Sequence, residues 1–315
     1  PEDILGKDSE RNIAMDNNYI YLPTAGGAKV RAISLAEGHA VTELSVEGIA
    51  GGTHVTSGAR VLDNGNATIL LVHNLAIGNA DGTAKLKVYA YDAVDAKPRV
   101  VLEYTVPNGS RLGDKMTTTG NWTNGELLFF DYTNAAERKF YSFKISNGVV
   151  EATATIYSLA DVVSGNSIAG VYKFNDTEYA WGGTATQVRV FSYANGVFTR
   201  TYTGDSAKYT APAHDLSFFN INEESYMASL TLRNSFQDAT LRLTSLPAAT
   251  LAESLDAADT TKDKVFGLGC EEGTEVTANP KDGNGTGGLA LRTINGKLHI
   301  AAFASSIGVV LFTVE

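Results

Sequence analysis

The sequence predicts an all-β fold assembled by repetition. Three observations carry this. Short apolar runs alternate with polar breaks along the whole chain, the breaks are rich in Gly, Asn and Asp, and helical periodicity is nearly absent. Leu86, Val88 and Ala90 face one way and Lys87, Tyr89 and Tyr91 the other, the period of a strand with one face more deeply buried.

The elements group in fours. The first unit reads NIAM (12–15), YIYL (19–22), KVRAISL (29–35) and AVTELSV (40–46). The second reads HVTSGARVL (54–62), ILLV (69–72), KLKVYAYD (85–92) and RVVLEYTV (99–106). MTTTGNW (116–122), LLFF (127–130), KFYSFKI (139–145) and VVEATATIYSL (149–159) form the third. IAGVYKF (168–174), EYAW (178–181), QVRVFSY (187–193) and VFTRTYT (197–203) form the fourth. The fifth has LSFFNI (216–221), ASLTL (228–232) and ATLRLTSL (239–246), with its last strand obscure within 247–268. The sixth has LALRTI (289–294), HIAAF (299–303) and GVVLFTV (308–314), and then the sequence ends. Hairpin signals fall at Asp63-Asn64-Gly65-Asn66, Asn124-Gly125, Asn147-Gly148, Asn195-Gly196 and Asn295-Gly296.

Six units of about 52 residues predict a β-propeller of six four-stranded blades, a single domain over residues 1–315. One such sheet cannot bury both faces alone, whereas a ring buries each against its neighbours. The last unit lacks a strand, so the N-terminal segment around Asp3-Ile4-Leu5 is expected to close the ring. Five or seven blades, paired β-sandwiches and a jelly roll are the competing folds. Two segments break the pattern. Leu251 and Leu255 stand at helical spacing in 247–264, and 269–288 reads as a long polar loop.

Composition excludes several functions. The net charge of −10 argues against a nucleic-acid surface, which needs a clustered basic face. No apolar run reaches the roughly 20 residues of a membrane-spanning helix. The single cysteine, Cys270, excludes an internal disulfide and is expected to be dispensable. The sequence opens at Pro1 with no signal peptide and reads as a trimmed segment lacking its targeting information. Sequons at Asn66, Asn108, Asn121, Asn175 and Asn284 are as frequent as this composition yields by chance.

No H-E-x-x-H, G-x-S-x-G or Walker loop is present. Gly283 to Gly288 match G-x-G-x-x-G, but a polar loop precedes them and a strand follows, so no dinucleotide site is expected. The same run offers calcium one carboxylate, Asp282, and no metal or cofactor is expected. The constellation that remains comes from the ring. Starts of innermost strands meet at one mouth of the axis, which places Arg11, Asn12, Thr53, His54, Asp114, Lys115, Asn166, His214, Asp215 and Thr286 near one another. Ends of the second strands add His73, Asn74, Asp131, Trp181, Arg233 and Asn234. Of these, His54, His73, Asp114, Lys115, Asp131, Trp181, His214 and Arg233 are the candidate ligand-binding residues. Trp122 and Trp181 sit beside turns and would suit a sugar ring if exposed, although packing is the commoner use of such residues.

The third strands VRVFSYANG and LKVYAYD and the second strand NGELLFFDY resemble the uncharacterised secreted β-propellers of Bacteroidetes, often lipoproteins with an immunoglobulin-like module ahead of the propeller. That resemblance implies an exported protein, periplasmic or anchored at the outer membrane. It carries no catalytic motif. The sequence therefore favours a monomeric, non-catalytic binder of a glycan or a cell-surface protein. The alternative is a glycan lyase or hydrolase using His54, His214, Asp114 and Asp131 at the same mouth.

Overall fold

A computed structural model describes residues 10–25, 27–36, 38–132, 138–159, 168–184, 186–204, 209, 211–233, 238–268, 286–305 and 308–314. The chain is all-β and propeller-like. The first sheet orders β1 (Ala14–Met15), β2 (Tyr19–Thr24), β3 (Lys29–Ser34) and β4 (Val41–Glu43). The second orders β5 (His54–Asn64), β6 (Ala67–Ile77), β7 (Lys85–Tyr91) and β8 (Arg99–Thr105), with β9 (Arg111–Leu112) paired to β6. The third meander has β10 (Met116–Gly120), β11 (Asn124–Phe130), β12 (Arg138–Ser146), β13 (Val149–Val150) and β14 (Thr155–Leu159). The fourth has β15 (Ala169–Lys173), β16 (Glu178–Gly183), β17 (Thr186–Ala194) and β18 (Val197–Thr203). One parallel bridge, Leu159 to Phe198, joins the third and fourth meanders into one nine-stranded sheet.

The fifth sheet has β19 (Asp215–Ile221), β20 (Glu224–Arg233), β21 (Asp238–Ser245) and, after helix α1 (Leu251–Ala257), β22 (Lys264–Gly267). Strand β22 was not legible in the sequence, because KVFG is short and all four residues are exposed. Helix α1 follows its Leu251/Leu255 spacing. Thr250 caps it by accepting the Glu253 N–H, and both leucines are fully buried against the fourth and fifth sheets. The last sheet has β23 (Gly287–Ile294), β24 (Lys297–Ala304) and β25 (Gly308–Val314). The proposed closing segment at Asp3-Ile4-Leu5, Cys270, Asn166, Asn234 and the run 283–285 lie outside the described residues. Glu10, the first described residue, bridges to Thr24.

The turn chemistry explains the register. Asn147, Asn195 and Asn295 take φ of 50°, 52° and 52°, each followed by a glycine at positive φ, so these Asn-Gly pairs form left-handed turns matching strand twist. Asn222-Glu223 makes the same kind of turn at φ 48° and 70°, without a glycine to announce it.

Burial shows how the sheets pack. Each apolar cluster draws on two neighbouring sheets: first with second, second with third, third with fourth, fourth with fifth, fifth with last. A further cluster joins Ile13, Met15, Ile20 and Leu22 to Ala301 and Phe303, so the first sheet packs on the last. The innermost strands contact one another in the same cyclic order, β1 with β5, β5 with β10, β10 with β15, β15 with β19, β19 with β23 and β23 with β1. Trp122 is buried between the second and third sheets, under Gly148 and 5.6 Å from the Arg99 guanidinium. No helix among the described residues is long and apolar enough to cross a membrane.

Candidate functional site

The starts of the innermost strands do converge, but mostly on one another. Arg11 donates to Asp114 at 3.0 Å, and Arg111 grips the same carboxylate through Nε and Nη2 at 2.6 and 2.5 Å. Arg11 also lies 3.5 Å from the His54 Nε2. Next to Asp114 in the chain, Lys115 donates to the His214 carbonyl at 2.6 Å and lies 3.4 Å from Asp215. Asp215 accepts from the Tyr172 hydroxyl at 2.5 Å and the N–H groups of Leu216 and Leu289 at 3.1 and 2.9 Å, with Arg60 at 3.5 Å. Arg60 in turn donates to the Asn12 Oδ1 at 2.8 Å.

A local irregularity aims these groups. In β5 the register slips between His54 and Gly58, a bulge just inside the strand start that carries His54. The bulge also turns Thr56 out to the Thr24 carbonyl at 2.5 Å, pinning the first sheet to the second. Past the bulge, Gly58 lies under the His73 ring, where a β-carbon would stand 2.4 Å from Nε2.

Burial sets the electrostatics. It outweighs the help of Asp215 and pulls the Lys115 ammonium down to about 8. Asp215 is pushed up by burial but pulled down harder by Lys115 and Arg60, to about 2. His73 and His214 are both held neutral, at about 3, chiefly by burial. His214 donates through Nε2 to the Gly287 carbonyl at 3.1 Å and accepts from the Thr184 hydroxyl at 2.8 Å on Nδ1. His73 donates through Nδ1 to the Asn74 carbonyl at 3.1 Å. His54 is half-buried, and burial together with Arg11 lowers its pKa as well.

The expectation of an open mouth is therefore corrected at several positions. His73, Asp114, Lys115, Asp131 and His214 are all 4 % exposed or less. Trp181 is 2 % exposed, with its ring 5.8 Å from Phe130 inside the packing of the third and fourth meanders, so it offers no face to a sugar. Asp131 accepts the Arg111 N–H at 3.0 Å and supports that residue from below. Arg233 ends β20, paired in register with Asp238. For Asp114 and Lys115 the physical reason is electrostatic. Desolvated charges at the convergence of several strands are stable only when paired, so they pair with each other before any ligand arrives.

Among the described residues, those that reach solvent at this end include the exposed Thr53, the half-buried His54, a quarter of the Arg111 side chain, and the half-buried Tyr132, whose ring lies 4.8 Å from the Arg111 guanidinium. Beneath the network the axis holds a cavity of about 230 Å³, lined in part by Arg60, Thr117, Thr118, Tyr172 and Ser217. Sequence reasoning missed Arg60, Arg111, Tyr132 and Tyr172. For Arg60 a signal existed, a lone cation in the middle of the innermost strand SGARVL. Among the described residues no three His, Cys, Asp or Glu side chains are grouped to hold a metal ion.

The chain matches no family model and no curated protein. Among solved structures it is similar to a DUF4623 family protein from Bacteroides eggerthii, with TM-score 0.72 and 19 % identity, over 99 % of this chain and 72 % of that one. It is also similar to an α-L-arabinanase from Penicillium chrysogenum, TM-score 0.55 and 9 % identity, over 100 % and 96 % of the two chains. An α-L-arabinofuranosidase from Fusarium graminearum gives TM-score 0.56 and 10 % identity, over 99 % and 95 %. At these identities the likeness is one of fold.

Proposed function

We propose that this chain is a non-catalytic glycan-binding module of the cell envelope, with its ligand seated over His54, Arg111 and Tyr132. One observation carries the reading. Asp114 and Asp215 are each engaged by two cations, Arg11 with Arg111 and Lys115 with Arg60. Carboxylates held this way face the cations of the axis, whereas glycoside hydrolysis asks for two carboxyl groups facing the sugar. The partly exposed residues instead offer a cation, an imidazole and an aromatic ring, a set that binds. Propeller-like neighbours named as glycan-cleaving enzymes make a glycan the favoured ligand over a protein.

The finer architecture belongs to the same proposal. The cyclic contacts of the innermost strands support six blades, and closure of the ring by the N-terminal segment against β25 is part of the same proposal. The Bacteroides neighbour fits the lineage that the texture of the third strands resembles, and export and a monomeric state are proposed on that resemblance alone. The test is a glycan and peptide array read with wild type, Arg111→Ala and Tyr132→Ala. Weakened glycan binding in both variants, titrated at a temperature where each is fully folded, supports the proposal, with Arg111→Ala expected to lower Tm because it frees the buried Asp114. Glycan turnover by wild type, or a binding profile identical in all three proteins, refutes it.

A further inference from the structure

A second recess lies at the opposite end of the innermost strands, between the first and second sheets, with a volume of about 320 Å³. That is the lower end of the range for small-molecule sites. Its floor is aromatic and fixed. Tyr21 and Tyr91 are 3 % and 1 % exposed, and their hydroxyls donate to Asp16 at 2.6 Å and to the Ser45 carbonyl at 2.8 Å. The wall from the first sheet is fixed as well. Asp16 Oδ1 accepts the N–H groups of Asn18 and Tyr19 at 2.7 and 2.8 Å, so the turn holds its shape without a ligand.

On this frame the half-exposed Tyr19 stands 6.0 Å from Tyr21, tilted by 46°. Asn18 and Asn66 line the recess from the two sheets and are both exposed. Thr68 and Asp92 complete the polar rim. Among the described residues no Lys, Arg or His lines the recess, and its two carboxylates are already engaged, Asp16 by Tyr21 and Asp92 by Arg99. The cations that reach its rim, Arg99 at Asp92 and Arg292 at Asn17, are paired with Asp92 and Asp63, which leaves an anion little countercharge. A neutral polyol fits the chemistry. Amides and a carboxylate can share the hydroxyls of a sugar, while an aromatic face covers its C–H groups.

We propose that the recess framed by Tyr19, Asn18, Asn66 and Asp92 is a binding site for an uncharged sugar ring, separate from the Arg111 end. It shares the ligand class of the reading above but none of its residues. The experiment is calorimetric titration of the full chain with methyl glycosides of neutral hexoses and pentoses, and with the matching uronates. A neutral glycoside is expected to bind saturably, more tightly than its uronate. Tyr19→Ala is expected to weaken binding at least about tenfold, the size of an aromatic anchor's loss. Because Tyr19 is half-buried, the exposed variants Asn66→Ala and Asp92→Ala are titrated beside it, each with Tm measured. Binding weakened by these two at unchanged Tm, and indifferent to Arg111→Ala, supports the site. No saturable binding, or binding lost only in Arg111→Ala, overturns it. In the second case the Arg111 proposal survives, so the two readings fail separately.

Discussion

Lowering the pH from 7 to 5 should destabilise this protein through two histidines. His73 and His214 are fully enclosed, and burial holds both at about 3, against an ordinary value of 6.5. In the unfolded chain both imidazoles take up protons below pH 6.5, while the folded ones do so only near 3. The unfolded state therefore binds more protons throughout that window, and stability falls as pH falls through it. One pKa unit is worth about 1.4 kcal/mol, so each histidine costs about 2 kcal/mol between pH 6.5 and 5, and the pair about 4 kcal/mol. That is a large part of the 5–15 kcal/mol typical of a folded protein. The half-buried His54 shifts in the same direction and steepens the loss. Asp215, held at about 2, adds its own loss only below the ordinary carboxylate range, so the interval from 6.5 to 5 isolates the histidines. Urea unfolding at pH 7, 6 and 5 reads the slope. His73→Gln and His214→Gln should each start less stable at pH 7 yet each remove close to half of it. A loss below about 1 kcal/mol over this interval, or an undiminished slope in both variants, refutes the argument.

Three further outcomes follow from the same geometry. Gly58→Ala puts a methyl 2.4 Å from the enclosed His73 ring and should cost about 1–3 kcal/mol in urea unfolding, the range of overpacked cores. Among the described residues, Lys115→Met leaves Asp215 paired with Arg60 alone, at 3.5 Å, and should cost about 3 kcal/mol or more, seen as a drop in Tm at pH 7. Trp181→Ala should cost about 3–5 kcal/mol by emptying the packing beside Phe130, and it should leave the affinity of the remaining folded protein for any array ligand unchanged.

Much of the architecture was legible because strands announce themselves locally. The alternation at Leu86–Tyr91 and the Asn-Gly turns at 147, 195 and 295 need no distant residue to take their form, and the structure has strands and turns there. Where local signal was thin the sequence fell short. The exposed KVFG strand is defined only by the ladder that β21 offers it, and the Asn222-Glu223 turn only by the strands it joins.

The candidate site divides along the same line. By itself the sequence determined that polar residues would gather where innermost strands begin, because repetition places equivalent positions side by side. It brought Arg11, His54 and Asp114 together, and likewise Lys115, His214 and Asp215. Only the tertiary structure decided which of them face solvent. That depends on how closely the strands approach the axis and on which charges meet, and neither is encoded at any single position. Once Asp114 and Asp215 are desolvated, pairing with Arg11, Arg111, Lys115 and Arg60 is the arrangement that offsets the cost of burying them, and the groups left to meet a ligand are the ones the pairing did not enclose.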